Sequence, residues 1–245
     1  MRTLRESLLD DFGEQSKDTA KRHAIESWLE ENHIIQNRVI YPLKYKINKD
    51  YTIDIDDFIY IGEGNFPDFI QFNKCKGKFT VFNSKMTSLH GCPKRVDGEF
   101  VCSDNLLTNL KGCPKYVGDN FDCSYNQLKT LEGAPRKVGR IFECQYNEEL
   151  SSLKGAPEEV SNFDCRFTGI HDFTGGPKKV EDDFLFTMDH IKSFEGAPKE
   201  IGGAFICYDK NDVVPAKDKQ WAKKNIKCKK FCWNRSEYDK YVTGV

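Results

Sequence analysis

The chain has 245 residues, and its 37 Lys and Arg against 38 Asp and Glu leave a net charge of −1, so no overall imbalance points to nucleic acid or to a charged membrane surface. A mean hydropathy of −0.64 and the lack of any long apolar run exclude a membrane-spanning helix. Ten Cys and 18 Phe stand beside only 14 Leu. Acids in MRTLRESLLDDFGEQ, where a secretory signal is apolar, predict a chain that is not exported and thiols that stay reduced.

Helical patterns come first along the chain. Thr3-Leu4-Arg5-Glu6 has capping-box spacing, and Leu4, Leu8, Leu9 and Phe12 share a helical face before Gly13. A second amphipathic pattern follows in Ala20, Ala24, Ile25, Trp28 and Leu29. Residues 38–61 read as strands, Ile53 and Ile55 alternating with Asp54 and Asp56. Residues 1–57 are thus expected to form an N-terminal helical segment and cap, with residues 1–12 alternatively a detachable amphipathic tag.

A repeat then takes over. Phe recurs at 79, 100, 121, 142, 163, 184 and 205, every step being 21 residues, and one step back lands on Phe58. Two residues after each Phe stand Val81, Cys102, Cys123, Cys144, Cys165, Phe186 and Cys207; five after it, the central copies carry Asn105, Asn126 and Asn147. Two aliphatic columns, a Gly-small-Pro step and a Val or Ile complete each unit. One copy gains a residue near Glu148-Glu149 and loses one near Ser161-Asn162, so the Phe spacing survives. A fixed period of this length is the mark of a solenoid. Phe and Cys, two apart on a short strand, point to one core face. Asn ends the strand with an amide able to bond the turn and the neighbouring coil. One unit cannot bury its own face, whereas seven or eight stacked units, residues 58–213, share a core.

The pattern in Val117 to Leu128, V-x-x-x-F-x-C-x-x-N-x-L, resembles the short leucine-rich repeat with Phe and Cys replacing two leucines. It is most similar to the leucine-rich-repeat-like arrays of tailed bacteriophages and their bacterial hosts. The resemblance implies a parallel β-sheet stack with irregular or 3-10 return segments, helical caps, a concave face that recognises a protein partner, and no catalytic residues. It departs from the family where the asparagine column decays to Thr168 and Asp189. Met1, Arg2, Thr3 and Glu6 are loosely similar to the head-targeting peptides of some phage internal proteins, which implies a virion or assembly role as the alternative.

After Asp212 the repeat is expected to stop. Residues 214–245 read as a helical cap, in which Trp221, Ile226, Tyr238, Tyr241 and Val242 are candidates for packing. Residues 217–231 hold seven Lys and one Asp. Lys223, Lys224, Lys227, Lys229 and Lys230 are accordingly a solvated helix face or, alternatively, a nucleic-acid or acidic-partner site.

The residues immediately after each Phe point away from the core: Thr80, Val101, Asp122, Glu143, Asp164, Leu185 and Ile206. Asp122, Glu143 and Asp164 therefore stand about 4.8 Å apart in a row, which is unfavourable without compensation. Tyr125, Tyr146 and Phe167 form a neighbouring row, and Arg166 is placed to neutralise Asp164. Acids beside aromatics suit a basic or amphipathic protein partner. The basic ridge after each Pro is interrupted by Glu158-Glu159, against a continuous phosphate-tracking groove. The Cys spacings follow the repeat and not the spacing of zinc ligands, so no metal is expected. His90, His171 and His190 belong to no triad, and Gly62-Glu63-Gly64 opens no helix. The expectation is a non-catalytic, cofactor-free, protein-binding solenoid with no membrane partner and no small-molecule substrate, in a bacterial or phage-infected cytoplasm.

Overall fold

The structure, a computed structural model, describes residues 4–32, 43–62 and 64–244, without the side chains of 4–14. It is a parallel β-solenoid of about seven turns closed by helices at both ends. Nine strands stack in one sheet, and every adjacent pair in it is parallel. In spatial order they are Ile59–Tyr60, Phe79–Thr80, Phe100–Val101, Phe121–Asp122, Ile141–Glu143, Asn162–Asp164, Phe184–Phe186, Ala204–Cys207 and Lys230–Cys232. The repeating Phe residues pair Cα to Cα from coil to coil, as their constant spacing requires.

Two members of the Phe column differ from the sequence expectation. Ile59, not Phe58, pairs with Phe79; Ile59 is 1 % exposed and Phe58 45 %. A one-residue slip moves a strand residue to the opposite face, so the exact step back of the repeat fails in its first copy. At the other end the stack does not stop at Asp212. Phe231 pairs with Phe205 in a ninth strand, and Trp233 follows it into the core, 8 % exposed.

The return side carries a ladder of its own. The Val that ends each unit sits in a short parallel strand, Arg95–Val96, Tyr116–Val117 and Lys137–Val138 on one side and Glu159–Val160, Lys179–Val180 and Glu200–Ile201 on the other. The ladder is broken between Lys137–Val138 and Glu159–Val160. These strands flank the inserted residue near Glu148-Glu149, and the compensating deletion follows the second of them. The main sheet runs through unbroken because the Phe spacing is restored there. The returns themselves are irregular turns, with no 3-10 helix among the described residues. Gly133 shows why Gly opens each return: its φ is +98°, and a Cβ there would lie 2.6 Å from the Leu110 carbonyl oxygen of the coil before.

Between the two ladders lies one continuous core. Phe79, Phe100, Phe121, Phe142, Phe163, Phe184 and Phe205 are wholly buried, with successive rings stacked or tilted at 5.0–5.9 Å. A buried Phe contributes about 1.5–3 kcal/mol. The cysteines are buried beside them, and the Cys123, Cys144 and Cys165 thiols donate to carbonyls of the following coil at 3.3–3.4 Å. A small apolar side chain that still offers a weak donor fits a position facing the next strand. Asparagine seals the strand ends. Asn126 accepts from the Leu107 N–H at 3.0 Å and donates to the carbonyls of Cys102, Cys123 and Ser124, and Asn105 and Asn147 repeat the arrangement.

Helix α1 (Leu4–Asn32) is a single helix through Gly13 rather than two. No proline follows Gly13, and an interior glycine weakens a helix by only about 1 kcal/mol. Its last turns cap the first coil through buried Ile25 and Leu29 and through Trp28, set edge-on to Phe66 at 5.7 Å. The expected strands appear as Tyr45–Ile47, Ile53–Ile55 and Ile59–Tyr60; the parts of that expectation and of the N-terminal tag on residues 1–3 and 38–42 lie outside the described residues.

Helix α2 (Ala216–Asn225) leads into the ninth strand, and α3 (Arg235–Thr243) follows it. Ile226 is buried as expected, but Trp221 is 38 % exposed, as is Tyr241, and Val242 is 61 % exposed. Asn234 caps α3, accepting from the Glu237 N–H, while Glu237 accepts from the Trp233 N–H.

Candidate functional site

The main sheet has two faces with different chemistry. Phe and Cys point inward. The alternate residues form an outer row whose Cα register runs Tyr60, Thr80, Val101, Asp122, Glu143, Asp164, Leu185, Ile206 and Cys232. Its apolar members at the C-terminal end belong to a separate cluster of Leu185, Ala204, Ile206 and Cys232, against which Tyr208 and Tyr238 pack. Helix α3 thus covers that end of the outer face, and Tyr238 stands edge-on to Tyr208 at 5.6 Å.

The three acids are neighbours, as the repeat predicts, but their surroundings differ. Asp164 is 5 % exposed and is gripped by Arg166 through Nε at 2.9 Å and Nη2 at 2.6 Å. Arg166 also donates to the Gln145 Oε1 at 3.1 Å and lies 4.3 Å over the Tyr208 ring. Asp122 accepts from the Ser103 hydroxyl at 2.7 Å and the Ser124 N–H at 2.9 Å. Glu143 has no hydrogen-bond or ion-pair partner for its carboxylate among the described residues. Burial, and next the charges of Asp122 and Asp164, push its carboxyl up to about 7. In the coil of Asp122, the Ser124 hydroxyl, in a residue 2 % exposed, is buried without a partner.

Next to the acids, Tyr125, Tyr146 and Phe167 stack face to face at 4.3 and 4.5 Å. All three adopt the left-handed region, with φ of 53°, 54° and 55°. Bulky side chains there are strained, yet Tyr125 remains 50 % exposed and Tyr146 37 %. On the other side of the acids, Phe58, Tyr60, Phe82 and Val101 line an open depression of about 570 Å³, with Glu99 and Asp122 at its margin. Sequence reasoning misses this depression because the 21-residue step puts Phe58 in the core column. An alternation count that gave the inward place to Ile59 and Ile61 would have placed Phe58 and Tyr60 on the outer face.

Lys223 and Lys224 end α2, and Lys227, Lys229 and Lys230 follow in the segment that enters the ninth strand. All five are exposed. They lie on the cap, away from the acids and aromatics. The thiols are poor nucleophiles: burial pushes Cys75 up to about 12 and Cys232 to about 11. No three His, Cys, Asp or Glu side chains gather to hold a metal ion among the described residues, and no helix there is long and apolar enough to cross a membrane.

Fold and site together define a repeat solenoid with a polar–aromatic surface on one sheet. Compared with known proteins, the chain matches no family model, no curated protein and no solved structure.

Proposed function

We propose that this is a non-catalytic protein-binding module of the leucine-rich-repeat-like kind, which takes a basic, amphipathic protein partner on the outer face of its main sheet. The observation that carries the reading is the pairing of Asp122 with Glu143 in adjacent strands, while the nearby guanidinium of Arg166 is bound to Asp164. Like charges in register are unfavourable, and a cationic partner turns that into attraction. The stacked, partly exposed aromatics alongside supply large contact area at little loss of side-chain freedom. The depression at Phe58, Tyr60, Phe82 and Val101, with Asp122 at its margin, supplies an adjoining apolar pocket.

By its resemblance to phage and bacterial arrays, the partner belongs to a bacterial or phage-infected cytoplasm. The test is affinity capture from such a lysate with wild type and with the D122N/E143Q double variant. Recovery of a partner by wild type, reduced at least tenfold in the variant, supports the proposal; equal recovery of every protein by both forms contradicts it.

A further inference from the structure

The aromatic ladder stands where the backbone favours smaller residues, and it stops short. The place four residues after the repeating Phe is left-handed at Asn83, Asp104, Tyr125, Tyr146 and Phe167, with φ from 50° to 56°. Asn and Asp are at ease in that region and bulky residues are not; strain of this kind collects at binding sites. Tyr125 is the end of the ladder. Tyr146 covers one of its faces at 4.3 Å, and the residue is still 50 % exposed. On its other side the next place belongs to Asp104. Phe100 and Phe121 pair in register, and the Asn105 N–H donates to the Tyr125 carbonyl at 3.2 Å, so the two places lie one coil apart. Asp104 is exposed, and its carboxylate has no hydrogen bond or ion pair among the described residues. An aspartate is too short to cover a phenol ring, so the outer part of that face stays open.

Twice elsewhere the chain sets an arginine on a tyrosine and an acid. Arg95 lies 3.9 Å over the Tyr116 ring and is paired with Asp97. Arg166 lies 4.3 Å over the Tyr208 ring and is paired with Asp164. Tyr125 and Asp104 make a third tyrosine and acid, and no cation of the described residues lies over that ring.

We infer that the open face of Tyr125 and the Asp104 carboxylate receive an arginine side chain of the protein partner. The inference rests on the interaction surface proposed above and specifies its chemistry. The guanidinium lies flat against the ring, held by the negative π face, and turns its N–H edge to the carboxylate, where planar donors bond in pairs. It thereby continues the ladder by one rung. Lysine fits less well, because its ammonium is compact, strongly hydrated and has no plane to stack. A nucleobase also stacks on tyrosine, but it would bring a phosphate toward Asp104, Asp122 and Glu143.

The experiment follows the Tyr125 ring in the full chain by aromatic ¹H–¹³C NMR, assigned with Y125L, during titration with the blocked tripeptide Ac-Gly-Arg-Gly-NH2. The lysine tripeptide Ac-Gly-Lys-Gly-NH2 and adenosine monophosphate are titrated at equal ionic strength. The expected result is a saturable Tyr125 shift with the arginine tripeptide, at least threefold weaker binding of the lysine tripeptide, and at least threefold weaker arginine binding in D104N, whose fold is checked by its urea midpoint. Equal responses to the two tripeptides, no response, a response undiminished in D104N, or tighter binding of the nucleotide overturns the arginine site. In parallel, a partner captured by wild type is blocked on arginine with phenylglyoxal or acetylated on lysine. Capture lost on arginine blocking and reduced at least threefold in D104N supports arginine as the source. Capture that depends on Asp122 and Glu143 but ignores both arginine blocking and D104N overturns the arginine site and leaves the interaction surface standing.

Discussion

Asp122 and Glu143 are direct partners in adjacent parallel strands, yet the protein satisfies only the first: Ser103 and the Ser124 N–H hold Asp122, while Glu143 has no hydrogen-bond or ion-pair partner among the described residues. Every neighbouring coil solves the same position differently, with Val101 on one side and an Arg-bound Asp164 on the other. The unsolved coil carries Tyr146, the middle ring of the aromatic stack.

Removing the unpaired acid is expected to stabilise the fold. The Glu143 carboxyl is raised in the folded state from 4.5 to about 7, so the folded chain binds a proton more tightly than the unfolded one. Stability on its account is therefore greatest below about pH 4.5 and falls as pH rises through 7. E143Q removes this loss, and after allowance for solvent screening it is expected to gain about 1–2 kcal/mol at pH 8. Urea unfolding of both forms at pH 8 and pH 5.5 checks this; a larger gain at pH 5.5 than at pH 8 contradicts it.

The asparagine column should show the opposite behaviour. N126A strips the Leu107 N–H and three carbonyls of their buried partner. It is expected to lose about 2–4 kcal/mol, more than one ordinary hydrogen bond, because several groups are orphaned at once. Urea unfolding reads the loss directly, and a change under 1 kcal/mol is inconsistent with the role assigned to Asn126.

Tyr146 separates stability from binding. Its ring stacks on Tyr125 and Phe167, a gain of about 0.5–1.5 kcal/mol per pair, but its φ of 54° costs a similar amount for a bulky residue. Asn tolerates that conformation. Y146N is expected to change stability by less than about 1 kcal/mol and to weaken partner capture at least fivefold. Unfolding curves and capture measured on the same preparation decide between this and a structural role.

The cysteines should be chemically silent. Nine of the ten are buried and only Cys228 is partly exposed. Iodoacetamide on the native chain is expected to modify Cys228 first and to leave Cys123, Cys144 and Cys165 unmodified until the chain unfolds, as read by peptide mass spectrometry. Early labelling of those three contradicts their packing.

The repeat was legible because Phe, Cys, Asn and the Gly-small-Pro step each answer a single local demand, and a constant period multiplies them. Asp122, Glu143 and Asp164 were placed in one row by register alone. The ends were harder, since a cap obeys no period. Phe58 kept the spacing while Ile59 took the core, and Phe231 and Trp233 continued both core columns after a helical excursion that hid the repeat. The difference between the three acids was also out of reach: which one receives Arg166 and which receives Ser103 depends on side-chain reach across coils, and spacing does not encode it.

The account turns on which sheet face meets the partner. A photo-crosslinking p-benzoylphenylalanine at position 125, on the outer face, and another at position 116, on the return ladder, test it in the full chain. The prediction is a partner adduct from position 125, lost in the D122N/E143Q background, and none from position 116. Adducts from position 116 alone, or an adduct from 125 that ignores both acids, would contradict it.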